Sequence, residues 1–200
     1  MGQPQKPYQP MRDEVLDIVR GLSALAVLAG HLRSFVFRDL VELANPSLLT
    51  KGFYFLTGFG HQAVMVFFVL SGYLVGGGVC KVLRAGRFSW SRYALTRLSR
   101  LWVVLLPALL LTWLCDGIGL ATVPEPYVGS MRSVFQSGPL PGSGTSSTPA
   151  TFFGNLLFLQ TVEVPVMGTN SPLWSLANEF WYYLLFPLLA IGLTGWRSPW

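Results

Sequence analysis

The chain has 200 residues, of which 52% are hydrophobic and only 12% are charged. Typical soluble domains carry about 25% charged residues, so this composition argues against a soluble enzyme and for a small bundle of membrane helices. The 14 Lys and Arg residues outnumber the 9 Asp and Glu residues. Because the basic residues lie between apolar runs and no nucleic-acid motif is found, we expect a lipid-bilayer partner and no nucleic acid.

A first helix is predicted over residues 14–37, after a polar, proline-rich segment at residues 1–10 that we expect to be a disordered cytoplasmic tail. Arg20 and His31 are eleven residues apart, which is almost three turns, so they share one face about 16 Å apart. Asp17 precedes Arg20 by three residues, at a spacing that allows an ion pair. Titratable groups at membrane depth usually face a protein interior or a wet cavity. We therefore expect this face to line a functional site.

The second helix is predicted over residues 60–80, after a loop at residues 39–57. Between Cys80 and Leu101 the chain carries basic residues and no acidic ones, which marks the cytoplasmic side by the positive-inside rule; the basic residues are Lys81, Arg84, Arg87, Arg92, Arg97 and Arg100. The first helix would therefore run outward and the second would return.

The third helix is predicted over residues 98–119, and a Ser-, Gly- and Pro-rich outer loop over residues 121–150. Residues 151–162 are apolar but too short to span a bilayer, so they are expected to be interfacial or re-entrant. The fourth helix is predicted over residues 172–195. The fold class is thus all-α: a polytopic transmembrane helix bundle with about four spanning helices plus one short interfacial or re-entrant segment.

Four stretches, in this order, resemble the motifs of the membrane-bound acyltransferase 3 family. Arg20-(ten residues)-His31 is similar to its basic-residue/histidine motif, and FFVLSGYL at residues 67–74 is similar to FFxxSGxL. RLSR at Arg97–Arg100 is similar to RxxR, and WSLANE at residues 174–179 is similar to WSLxxE. The resemblance covers nearly all of residues 11–195. It implies a membrane O-acyltransferase that moves an acyl group, often acetyl, to a sugar hydroxyl.

The resemblance implies that His31 is the catalytic residue. Histidine, with an unperturbed pKa near 6.5, is the usual general base near neutral pH. From position alone, a hydrogen-bonded histidine of a helix bundle is slightly favoured for His31. Glu179 is predicted as a sugar-hydroxyl site or second acid/base group, or else as a lock on helix packing. Ser71 is predicted to serve close helix packing, and His61 to be solvated or interfacial.

Arg97, Arg100 and Arg20 are predicted to bind the acyl-CoA donor, because guanidinium groups bind phosphate bidentately and keep their charge. The alternative for the first two is that they only obey the positive-inside rule. No metal site and no permanently bound cofactor are expected. The expected partners are acyl-CoA as donor substrate, a carbohydrate acceptor and the lipid bilayer.

Residues 11–197 are predicted to form one acyltransferase 3-like transmembrane domain, truncated at its C-terminal side. Further helices would then come from a partner or from a missing C-terminal half. The expected location is the cell membrane, with several passes and a cytoplasmic N-terminus. The alternative functions are a non-catalytic transporter-like or assembly protein and an inactive truncated acyltransferase. A transporter would be expected to have inverted repeats, which are not visible in the sequence.

Overall fold

The computed structural model describes residues 10–127 and 146–194. The predicted tail, apart from Pro10, and most of the predicted loop at 121–150 lie outside these ranges. Every described segment of regular secondary structure is helical, apart from two isolated β-bridges. The elements are α1 (Pro10–Val36), a 3₁₀ helix (Leu40–Glu42), α2 (Leu48–Leu56), α3 (Gly60–Arg84), α4 (Trp90–Thr122), a 3₁₀ helix (Glu125–Tyr127), α5 (Pro149–Leu156) and α6 (Leu173–Thr194).

Four segments of the described chain are long and apolar enough to cross a membrane. They are Glu14–Glu42, Leu48–Arg84, Trp90–Thr122 and Leu173–Leu193. They correspond to α1, to the pair α2 and α3, to α4 and to α6, respectively. The predicted all-α bundle with four spanning helices is therefore confirmed.

Two predicted boundaries are wrong. The predicted loop at residues 39–57 contains α2, whose first turn is stabilised because the hydroxyl of Ser47 accepts a hydrogen bond from the backbone N–H of Thr50 at 3.1 Å. The third long helix, α4, begins at Trp90 and not near residue 98. Its first two turns carry basic residues, which the sequence interpretation assigned to a loop, but the Tyr93 hydroxyl anchors them by donating to the backbone carbonyl of Tyr183 at 2.9 Å.

Long helices that follow one another along the chain alternate in direction. Helices α1 and α3 are antiparallel, since Gly30 lies against Gly60 whereas Arg20 lines the same cavity as Leu74. Helix α6 runs parallel to α3, as the ring contacts His61–Trp174 and Phe68–Tyr182 show. Helix α4 is antiparallel to α6, because Asp116 bonds to Thr169, just before α6, while Tyr93 bonds to Tyr183.

The main core forms where α4 meets the segment between α5 and α6. It contains Leu101, Leu105, Leu109, Phe158, Met167 and Leu173. The indole N–H of Trp102 donates to the carbonyl of Leu156 at 3.0 Å. Thirteen residues after Leu156, Thr169 bonds to Asp116, which lies fourteen residues or about 21 Å beyond Trp102 along α4. Relative to α4, this is the course of a re-entrant segment.

Buried polar groups stabilise this segment. The fully buried amide of Asn155 donates to the carbonyls of Thr151 and Pro165 at 2.8 and 2.9 Å and accepts from the N–H of Met167 at 3.1 Å. Asp116, only 3% exposed, accepts from the N–H and the hydroxyl of Thr169 at 2.8 and 2.7 Å. These bonds satisfy groups that would be costly to bury alone, and they fix the start of α6.

Candidate active site

A cavity of about 650 Å³ lies between α1, α3, α4 and α6. We call it the arginine cavity, because Arg20, Arg97 and Arg100 line it together with Glu179. The wall also contains Phe67, Phe68 and Ser71 of the FFVLSGYL motif on α3. From α6 it contains Ser175 and Leu176, which share the WSLANE motif with Glu179, and Tyr183 beyond that motif. Three guanidinium groups against one carboxylate make this cavity strongly cationic.

Arg97 is held between two tyrosine rings. Its guanidinium carbon lies 5.7 Å from the ring centre of Tyr93 and 5.4 Å from that of Tyr183. Such cation–π contacts contribute about 0.5–2 kcal/mol each, depending on solvation. The Nε atom of Arg97 is buried and has no hydrogen-bond partner among the described residues. The aromatic rings therefore orient the guanidinium while leaving donor capacity for a ligand.

Glu179 and Tyr183 belong to one hydrogen-bonded group. The Tyr183 hydroxyl donates to Oε1 of Glu179, one turn earlier in α6. The same hydroxyl lies 3.5 Å from Oγ of Ser71 on α3. Glu179 thus lines the same cavity as the three arginines, and it holds the tyrosine whose ring packs on Arg97.

Arg20 is more exposed than Arg97, whose Nε atom is buried. Its side chain is 48% exposed, and it lies 3.4 Å from the carboxylate of Asp17, which is 74% exposed. The ion pair predicted from the i,i+3 spacing is therefore present. An exposed pair of this kind contributes little to stability, so the charge of Arg20 remains available to an anion.

A second cavity, of about 360 Å³, lies beside the first. We call it the histidine cavity, because His31 from α1 and His61 from α3 both line it. Its wall also contains Arg33, Ser34, Thr169, Ser171 and Trp174. The ring centres of His61 and Trp174 are 6.1 Å apart. Among the described residues that line it, none is acidic.

The two cavities meet at a pair of valines. Val27 on α1 and Val64 on α3 line both of them. Val27 lies seven residues after Arg20 and four before His31 on the same helix, so it occupies the path between those two side chains. The two cavities therefore share an apolar stretch of wall at these valines, which we call the valine neck.

The structure brings four of the five predicted site residues into one cavity and the fifth into its neighbour. Arg20, Arg97, Arg100 and Glu179 line the arginine cavity, and His31 lines the histidine cavity. The shifted start of α4 has a consequence here. Arg97 and Arg100 lie seven and ten residues into that helix, about 10 and 15 Å from its first residue, and not at its base.

Sequence reasoning missed several residues that line these cavities. His61 was expected to be only solvated or interfacial, and Arg33, Ser34 and Thr169 were given no role. Tyr93, whose ring packs on Arg97 although it lines neither cavity, was also given no role. One signal for His61 is visible in the sequence: a Gly-His pair occurs in both α1 (Gly30-His31) and α3 (Gly60-His61). Within residues 10–127 and 146–194, no group of three or more His, Cys, Asp or Glu side chains is arranged to hold a metal ion.

Comparison with known proteins agrees with the motifs that line the two cavities. The model of the acyltransferase 3 family, described as an acyltransferase domain, matches residues 13–200. The chain is 29% identical over 189 residues to the acyltransferase MdmB of Streptomyces mycarofaciens, covering 91% of this chain. It spans 40% of the length of that relative. No solved structure is significantly similar. With its four apolar helices, the chain is a multi-pass membrane protein that belongs to the acyltransferase 3 family.

Proposed function

We propose that this chain carries the donor site and the catalytic histidine of a membrane O-acyltransferase. The acyl group, which we take to be acetyl, comes from acyl-CoA and goes to a hydroxyl of a carbohydrate or cell-envelope glycan. One observation carries the proposal: the four family motifs, distant in the sequence, line two cavities that join at Val27 and Val64. The shared walls support a common reaction at one site.

The arginine cavity is the proposed donor site. Coenzyme A carries several phosphates, and Arg97 and Arg100, three residues apart on α4, offer two guanidinium groups from one helix. The volume of about 650 Å³ lies in the range of small-molecule sites. Since acyl-CoA is cytoplasmic, this end of the bundle would face the cytoplasm of a cell whose plasma membrane holds the protein. The basic run that follows Cys80 supports that orientation.

His31 is the proposed general base. The acceptor oxygen attacks the thioester carbonyl carbon while His31 takes the hydroxyl proton. A C–O ester bond forms, the C–S bond breaks, and the departing coenzyme A thiolate receives the proton from the imidazolium. The separation of about 16 Å along α1 between Arg20 and His31 suits an extended donor whose thioester passes the valine neck. Glu179 would act by holding Tyr183 against Arg97.

The test is acetyl transfer in membranes that contain the intact chain. Radiolabelled acetyl-CoA is supplied with a panel of methyl glycosides, and ester formation is followed. His31→Ala is expected to abolish acetyl-ester formation, because the general base is lost. Arg100→Ala is expected to raise the acetyl-CoA KM by at least tenfold, because a charge-assisted phosphate contact is lost. Arg84→Ala serves as the matched control. Arg84 is the last residue of α3, belongs to the same basic stretch of the sequence as Arg100, and lines neither cavity.

Transfer that is unchanged in both His31→Ala and Arg100→Ala would contradict the proposed roles. An equal loss in Arg84→Ala would show that general surface charge, and not the cavity, determines donor affinity. A chain that transfers no acetyl group to any glycoside, while remaining folded in the membrane, would refute the enzymatic proposal for this chain as it stands.

A further inference from the structure

The two histidines meet because two glycines allow their helices to approach. A Cβ atom on Gly30 would lie 3.3 Å from the carbonyl of Thr57 and 3.5 Å from Cα of Gly60. Gly60, in turn, faces the Cα of Gly30 and the carbonyl of Ala26. Small residues at such crossings let membrane helices pack closely. The residue after each glycine is a histidine, so one crossing delivers both imidazoles to one cavity.

Trp174 supplies the flat apolar wall of this cavity. Its ring centre lies 6.1 Å from that of His61, with 31° between the ring planes. Phe68 supports it from the side, with ring centres 6.1 Å apart and a 73° interplanar angle. The backbone of Trp174 is bonded in the first turn of α6, where its N–H donates to the carbonyl of Ser171. The indole is therefore a supported surface and not a loose side chain.

Hydroxyl and imidazole groups surround this aromatic wall. Ser34, Thr169 and Ser171 line the cavity with the two histidines. Thr169 is fixed from behind by its two hydrogen bonds to the buried Asp116. An aromatic face beside several hydrogen-bonding groups suits a sugar ring, which has apolar C–H faces and a polar rim of hydroxyls.

The volumes assign the two substrates to different cavities. The arginine cavity, at about 650 Å³, is larger and cationic, as a nucleotide donor requires. The histidine cavity, at about 360 Å³, lies near the lower end of the range for small ligands. That size fits one sugar unit better than coenzyme A. The sugar would then lie directly against His31, which has to take its proton.

We propose that the histidine cavity is the acceptor site for a single sugar unit, with Trp174 stacking on the ring and His61 hydrogen-bonding a hydroxyl. This assignment rests on the proposed acyltransferase function. It assigns acceptor recognition to His61 and Trp174. Glu179, which lies with the proposed donor-binding arginines, then has no role in acceptor recognition. His61 and Trp174 are acceptor-binding residues here, and His31 remains the base.

The experiment separates the two substrates kinetically. In membranes containing the intact chain, acetyl transfer is measured at varied acetyl-CoA and at varied methyl glycoside, using the glycoside that the wild type acetylates fastest. Trp174→Leu is expected to raise the glycoside KM by about tenfold or more, the loss of roughly one good contact, with the acetyl-CoA KM unchanged. Trp174→Phe, which keeps an aromatic face, should recover most of the affinity.

The same comparison applies to His61. His61→Leu should raise the glycoside KM, whereas His61→Gln, which retains hydrogen-bonding groups, should retain more affinity than the leucine variant. A third variant does not depend on removing native contacts: Ser171→Phe adds bulk at the exposed rim of the cavity and should block the glycoside while leaving acetyl-CoA binding intact. This variant keeps the proposal testable if Trp174→Leu does not fold.

The possible outcomes are distinct. If the wild type is active and the leucine variants and Ser171→Phe leave the glycoside KM unchanged, the acceptor assignment is wrong while the acyltransferase proposal stands. The same conclusion follows if these variants raise only the acetyl-CoA KM. If the wild type itself transfers no acetyl group, the proposed function fails, and this assignment fails with it.

Discussion

The arginine and histidine cavities share two valines but differ in almost every other respect. The arginine cavity is lined by three guanidinium groups, one of them oriented by two tyrosine rings. The histidine cavity is about half its volume and presents imidazole, indole and hydroxyl groups together with a single guanidinium group, that of Arg33. A fixed positive charge suits phosphates, whereas groups that both donate and accept hydrogen bonds suit hydroxyls.

The difference between the cavities gives the separation of Arg20 and His31 a role in our proposal. If one cavity held both substrates, the base and the donor charges would lie close together, and the eleven-residue spacing would have no purpose. With two cavities, the spacing sets the length of the donor arm. The neck at Val27 and Val64 is where the acyl group would pass from one chemistry to the other.

The largest expected effect is the loss of the base. His31→Gln keeps a polar side chain of similar size at the same position, but glutamine does not take a proton near neutral pH. General base catalysis typically contributes about 10²–10⁴-fold, so kcat for acetyl transfer should fall by that factor while the acetyl-CoA KM changes little. Steady-state kinetics with radiolabelled acetyl-CoA measure both constants. A large rise in the acetyl-CoA KM with normal kcat would place His31 in donor binding and remove the distinction between the cavities.

The next effect comes from separating the two histidines. Gly30→Val puts branched bulk where even a Cβ would lie 3.3 Å from the Thr57 carbonyl, so α1 and α3 should move apart at the cost of about 1–3 kcal/mol. We expect kcat/KM for the glycoside to fall by roughly tenfold to a hundredfold. Gly21→Val is the matched control on the same helix, since a Cβ there meets nothing within 4 Å. Equal losses in both variants would attribute the effect to helix propensity and not to the crossing.

The bundle was predictable from sequence because its signals are local. Runs of apolar residues and the charge of the segments between them define four helices without any tertiary information. The start of α4 at Trp90 was not predictable, since the charges of Arg92 and Arg97 suggest a loop. In the structure, Tyr93 and Tyr183 pack on the Arg97 guanidinium and make a helical course favourable.

The candidate site was only partly predictable for a related reason. Arg20, His31, Arg97, Arg100 and Glu179 belong to motifs with fixed spacing, so a linear pattern finds them. The role of His61 depends on a helix crossing, which no spacing within one helix reveals. The hydrogen bonds that fix Thr169 to Asp116 join residues 53 positions apart. Contacts between elements, and not local propensity, decide these positions.

A smaller effect should distinguish the ring of Tyr183 from its hydroxyl. Tyr183→Phe keeps the ring 5.4 Å from the guanidinium carbon of Arg97 but removes the donor to Glu179. Tyr183→Leu removes both. Since one cation–π contact contributes about 1 kcal/mol, the acetyl-CoA KM of the leucine variant should exceed that of the phenylalanine variant by about fivefold, with equal glycoside KM values. If the phenylalanine variant is as weak as the leucine variant, the hydroxyl and Glu179, and not the ring, orient Arg97.

The smallest expected effect comes from Asp116, which supports the histidine cavity through its hydrogen bonds to Thr169. Asp116→Asn replaces the carboxylate, whose two oxygens accept from the N–H and hydroxyl of Thr169, by a neutral amide with one acceptor oxygen. The charge-assisted bonds are lost, so the unfolding free energy should fall by about 1–2 kcal/mol. Because Thr169 lines only the histidine cavity, the glycoside KM should rise about threefold while the acetyl-CoA KM stays constant. Thermal unfolding of the detergent-solubilised protein and the two KM values provide the measurement, with Thr169→Ser as the variant that keeps both donors. A change in the acetyl-CoA KM alone would show that the start of α6 supports the donor side, and the division between the two cavities would then not extend to their supporting residues.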